Sequence, residues 1–178
     1  MFDMRYILYV MIPGMIISGG ASLLVKAAFS RYSRVPSRRG FTGAQAAARL
    51  LQNAGIRDVQ IVPTSGYLSD HYNPQTKQLA LSEAVYGSNS LAAVGVACHE
   101  AGHAIQHATN YGPLSLRSAI VPAAGIGSSV GYIVMAVGLF VHPFVVGIGA
   151  VIFSAVLVFQ LVTLPVEFDA TARQTPGC

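Results

Sequence analysis

From Ser118 to Val166 the chain carries no Asp, Glu, Lys or Arg. A helical crossing of a bilayer core takes about 20 apolar residues, so this run is long enough for two. The dipeptide His142-Pro143, inside FVHPF, is its natural break. The pattern therefore predicts spans over residues 120–139 and 144–164, joined as a tight hairpin. An earlier apolar segment, YILYVMIPGMIISGGASLL (residues 6–24), has the length of one more crossing, made less regular by Pro13 and the Gly19-Gly20 pair. A cleaved signal peptide is the rival reading of this segment. Arg5 alone, offset by Asp3, and the lack of a small-x-small cleavage site before Lys26 count against it.

Between the first span and the hairpin the pattern changes to that of a small water-soluble unit. Thr42 can cap a helix over residues 44–53, which is rich in Ala, Leu and Gln, and Gly55 suits the position just past its end. VQIVP (residues 59–63) reads as a short strand, SGYLSDHYNPQT (65–76) as a polar loop with an Asn-Pro turn, and KQLALS (77–82) as a second strand. Ser88, Asn89 and Ser90 offer an N-cap for a helix over residues 91–109. The expected fold is an α+β membrane protein. It divides into an N-terminal transmembrane helix (1–25), a small α+β domain (26–118), a transmembrane hairpin (119–165) and a tail (166–178).

Composition agrees with a membrane protein: 53% of the 178 residues are hydrophobic and 10% charged, against about 25% charged in ordinary soluble domains. Net charge is +4, and its location says more than its size. Lys26, Arg31, Arg34, Arg38, Arg39 and Arg49 crowd just after the first span, and positive charge beside a span is retained on the cytoplasmic side. The N-terminus is then expected outside and residues 26–118 in the cytoplasm, beside a lipid bilayer whose anionic headgroups the basic run can touch. Nucleic acid is not an expected partner, because the run adjoins a span and lacks interleaved aromatics.

The chemistry sits in HEAGH (99–103). Residues four apart share one helix face, so His99 and His103 can present both imidazoles to one ion, with Glu100 placed beside it. In such a pattern two neutral imidazoles bind Zn²⁺ and the glutamate acts as general base. The flanks are uncharged, as expected for a buried helix, and a mid-helix glycine, Gly102, costs about 1 kcal/mol relative to Ala, which suggests close packing by another segment. His107 does not join the set: along a straight helix His99 and His107 lie about 12 Å apart, too far for bonds near 2 Å.

A catalytic zinc takes a third protein ligand and keeps one open position. The acidic candidates are Asp3, Asp58, Asp70, Glu83, Glu167 and Asp169. Two crossings return the chain to the side of the HEAGH helix, which favours Glu167 and Asp169; Asp70 or His71 come next. Asp169 and Arg173, four apart, can pair on a helix. A peptide substrate could add as a strand beside KQLALS, and Tyr111, His107 and Arg173 are the candidates for stabilising an oxyanion.

HEAGHAIQHA (99–108), LSDHYNPQTKQLALS (68–82), LPVEFDA (164–170) and TGAQAAARLL (42–51), arranged around a membrane hairpin, resemble the YugP-type neutral zinc metallopeptidases of prokaryotes. The resemblance covers nearly the whole chain. More distantly it is similar to the HtpX-type and prenyl-protein membrane proteases, in which a glutamate on a later helix, followed three residues on by Ala, completes the zinc site; Glu167 and Ala170 stand in that relation. The resemblance implies His99, His103 and Glu167 as a gluzincin-like ligand set for Zn²⁺ and Glu100 as general base. It implies a metalloendopeptidase of the cell (inner) membrane acting on protein or peptide substrates, membrane proteins among them. Two departures stand out. Thr171 replaces the Asp of the distant relatives, with Asp169 as its substitute, and the chain stops at RQTPGC where family members continue for several turns. The rival expectation attached to that ending is a catalytically inactive membrane scaffold with a structural metal site.

Overall fold

A computed structural model describes residues 8–9 and 12–174. The protein is mostly helical, with one small sheet. Helix α1 (Ile12–Tyr32) is followed by α2 (Gly43–Asn53), β1 (Gln60–Thr64), β2 (His71–Asn73), β3 (Gln78–Ser82), the short α3 (Glu83–Tyr86) and α4 (Leu91–Ala108). Then come α5 (Gly112–Val141), α6 (Pro143–Phe153) and α7 (Ala155–Gln174).

Helix α2 begins as expected. Thr42 accepts from the Gln45 backbone N–H while the Gln45 side chain accepts from that of Thr42, so two orphan donors of the first turn are satisfied reciprocally. Ser90 caps α4 in the same manner through the N–H of Ala93. Ala46, Ala47, Leu50 and Leu51 of α2 pack against Ala93, Ala97, Ala101 and Ala104 of α4, with Leu79, Leu81 and Val85 closing the core.

The sheet differs from expectation in two respects. Residues 71–73, expected within a loop, form β2, and the strand order is β1-β3-β2, with β1 parallel and β2 antiparallel to β3. Three residues are too few to show alternation, and it is pairing with the buried β3 that holds them extended. The anticipated Asn-Pro turn follows directly, with Asn73 Oδ1 accepting from Gln75 N and Thr76 N. The strand KQLALS is central and has no free edge, so the strand proposed from sequence as a substrate edge is already paired on both sides. The open edges are those of β1 and β2, and β2 is the one whose residues stand near the histidines of α4.

Among the described residues three helical segments are long and apolar enough to cross a membrane: Ile12–Tyr32, Gly112–Val141 and Pro143–Arg173, the last comprising α6 and most of α7. All three extend beyond the apolar runs themselves. Helix α1 continues past Lys26 to Tyr32, its last turn carrying Arg31, where a cation opposes the helix dipole favourably; the first residues of the span expected over 6–24 lie largely outside the described residues. Helix α5 starts at Gly112, with Pro113 in its first turn.

The break falls at His142-Pro143. The backbone of His142 is extended and its ring accepts from Phe144 N, capping α6. Glycines then let α5 and the returning helices approach closely: a methyl group on Gly131 would lie 2.7 Å from the backbone nitrogen of Phe153, and one on Gly149 would lie 2.6 Å from that of Met135. Small residues at such an interface replace the hydrophobic drive that lipid removes.

Candidate metal centre

Helix α4 carries His99, Glu100 and His103, and α7 carries Glu167 where the chain leaves the apolar run. The two helices meet because Gly102 has no side chain: a methyl group there would lie 2.6 Å from the carbonyl oxygen of Ala170. Val166 and Ala170 are fully buried in that contact. The close approach inferred from a mid-helix glycine is thus made by the returning end of the hairpin.

Glu167 Oε2 lies 3.1 Å from His99 Nε2 and 3.7 Å from His103 Nε2. The ligand atoms of the three residues all fall within 4.8 Å of one another. Donors on a tetrahedral zinc with bonds of 2.0–2.1 Å stand about 3.3 Å apart, so two imidazole nitrogens and a carboxylate oxygen in this arrangement fit that ion.

The hydrogen-bond network fixes which nitrogen of His103 is free. Gln106 is fully buried, and its amide nitrogen donates to Val166 O and to Asp169 Oδ2, both at 2.8 Å. Its Oε1 is therefore the atom facing His103 Nδ1 at 2.9 Å, and His103 must donate there, leaving the Nε2 lone pair toward Glu167. Burial holds the His103 ring below its ordinary pKa, against opposing pulls from Gln106 and Glu167. A neutral imidazole is the form a metal needs.

Asp169 is in turn paired with Arg173, which also reaches Thr109 and lies over the Tyr111 ring. Thr171 stands 3.4 Å from His99 Nδ1. Thr171 thus faces one histidine, and Asp169 reaches the other through Gln106.

A cavity of about 230 Å³ opens over these atoms. Its walls are Asp70, His71 and Tyr72 beside β2, His99, Glu100 and His103 from α4, Leu114 and Arg117 from α5, and Glu167 from α7. Burial, reinforced by the negative charges of Asp70 and Glu167, pushes the Glu100 carboxyl up to about 7, while the Tyr72 backbone N–H and Arg117 pull it down. Asp70 is engaged by the backbone and side chain of Ser82. His107 pairs with the Tyr72 hydroxyl at 2.8 Å and lines a separate cavity with Asp58 and Lys77. His107, Tyr111 and Arg173, named from sequence as oxyanion donors, do not line the cavity over the histidines.

A family model described as "Putative neutral zinc metallopeptidase" matches residues 7–176. The chain belongs to this family. It is 41% identical over 167 residues to the "Putative membrane protease YugP" of Bacillus subtilis (strain 168), a match covering 93% of this chain and 74% of that relative. No solved structure matches. The family name implies zinc, and among the described residues His99, His103 and Glu167 form the group able to hold a metal ion.

Sequence reasoning passed over Gln106, Arg117 and Tyr72. Gln106 was legible, being three residues after His103 on one helix face. Tyr72 and Arg117 enter through tertiary packing.

Proposed function

We propose that the protein is a membrane-bound zinc metalloendopeptidase whose reacting centre comprises His99, His103, Glu167 and Glu100. The observation that carries this reading is the convergence of Glu167, from the far end of a membrane hairpin, on the two histidines of HEAGH. The family and the membrane-protease relative support the same activity.

His99, His103 and Glu167 would hold the ion. A bound Zn²⁺ supplies a Lewis acid and brings the pKa of water to about 7. Glu100 takes the proton of the attacking water and later gives it to the leaving amine; its half-buried place beside the histidines suits a base poised near neutrality. The substrate backbone lies along the open edge of β2, whose residues His71 and Tyr72 wall the cavity.

The basic residues in the last turns of α1 and just after it support a zincin-like part, residues 26–118, on the cytoplasmic side of the cell (inner) membrane. An even number of crossings by 119–165 returns the segment 166–178 to that side. Purified full-length protein should carry stoichiometric zinc and cleave casein, and Glu100→Gln should keep the zinc and lose cleavage by about 10²–10⁴-fold. Zinc without cleavage in the wild type would instead favour the scaffold.

A further inference from the structure

Arg117 and Glu167 are the charged residues that bracket the uncharged run of the hairpin, and folding brings them together. Arg117 Nη2 stands 3.6 Å from Glu167 Oε1, an ion pair too long for a hydrogen bond. Its Nε is buried and has no hydrogen-bond partner among the described residues. The guanidinium always carries its charge and holds five N–H donors in a planar fork, so a buried unpartnered Nε–H is an unmet demand for an acceptor.

The residue that carries it lines the reacting centre. Arg117 is the one Lys or Arg among the described residues that line the cavity with His99, Glu100 and His103, and its side chain is 30% exposed there. Glu167 turns Oε2 toward both histidines and leaves only Oε1 to Arg117. The other cation near α7, Arg173, is taken up by Asp169 and Thr109.

We propose that Arg117 is a catalytic residue whose guanidinium donates to the carbonyl oxygen of the scissile peptide bond as negative charge develops on it. The inference rests on the peptidase reading above. In the step concerned, the oxygen of water bonds to the carbonyl carbon, its proton passes to Glu100, and the π pair of the C=O bond moves onto the carbonyl oxygen. Arg117 meets that oxygen with N–H donors already in place, so little reorganisation is needed as the charge forms. The pair then re-forms the C=O bond, the C–N bond breaks with its electrons on nitrogen, and that nitrogen takes the proton from Glu100. Peptide and water become acid and amine.

The test uses zinc-loaded full-length protein in nanodiscs and two probes: a casein-derived peptide that the wild type cleaves, and its phosphonate analogue, whose tetrahedral anionic centre replaces the scissile carbonyl. Arg117→Ala should weaken phosphonate binding and lower kcat/KM together by about 10²–10³-fold, mainly through kcat, while uncleaved-peptide binding in a Glu100→Gln background and zinc affinity stay within about threefold. Arg117→Lys, which keeps charge without the fork, should recover part of both losses and serves if the alanine variant does not fold. Equal weakening of peptide and phosphonate would overturn the proposal. So would a loss of zinc affinity of about tenfold or more, which would make Arg117 a positioning residue for Glu167. Wild-type protein that binds zinc but cleaves nothing overturns the peptidase reading itself; wild-type cleavage unchanged in Arg117→Ala overturns this inference alone.

Discussion

Gly102 on α4 lies against the backbone of Ala170 on α7, so close that a methyl group on Gly102 would come within 2.6 Å of the Ala170 carbonyl oxygen. The obstacle is backbone, which cannot rotate away as a side chain would. Gly102→Ala must push α7 outward, carrying Glu167 from His99 and His103. Overpacking of this kind costs about 1–3 kcal/mol. The variant should unfold at lower temperature in detergent and bind zinc more weakly, even though alanine is the better helix former. Unchanged zinc affinity would show that α7 can shift without moving Glu167.

Gln106→Leu removes the amide that joins His103 to Asp169 and to Val166 O. His103 then has no fixed acceptor for Nδ1–H, and a buried carbonyl loses its donor. Loss of an outer partner of a metal-binding histidine lowers affinity by about 10–100-fold. Competition with a chromophoric chelator measures this directly.

Glu100 makes the stability of the metal-free protein depend on pH. Its folded-state pKa is raised from 4.5 to about 7, chiefly by burial. A raised carboxyl pKa means that the unfolded chain gives up this proton first, so folding is progressively disfavoured as pH rises from about 4.5 to about 7 and the deficit stays constant above. Metal-stripped Glu100→Gln should therefore unfold at higher temperature than the wild type at pH 8, with the gap narrowing toward pH 5. An equal gap at both pH values would mean that Glu100 ionises in the folded protein as it does in the unfolded chain.

Gly131→Val tests the hairpin. A methyl group on Gly131 would lie 2.7 Å from Phe153 N and 2.9 Å from Gly149 O. The two helices of the hairpin, α5 and α6, must separate, at a cost of about 1–3 kcal/mol. Because α7 leaves the hairpin directly into Glu167, zinc affinity should fall along with thermal stability, although Gly131 lies far along the chain from each of the proposed ligands. Thermal unfolding and zinc titration on the same preparation check both.

Local patterns were legible in the sequence because each depends on neighbours along the chain. Thr42 announced the start of α2, the run Ser88, Asn89 and Ser90 that of α4, and His142-Pro143 the break between α5 and α6. The spacing of His99 and His103 follows from helix geometry alone, and the uncharged run from Ser118 to Val166 from the demands of a hydrocarbon solvent. The sequence by itself thus determined the longer helices, the apolar hairpin and half of the candidate site, but not the short α3 or the break at Ser154 between α6 and α7. Tertiary structure decided the rest, because the deciding contacts join residues far apart in sequence. The three-residue β2 exists by pairing with β3. Gln106 gains its meaning from α7, and Glu167 and Arg117 meet only because glycines bring the helices of the hairpin together. A carboxylate 68 residues from His99 is chosen by where two packed helices end, and nothing local to Glu167 encodes that.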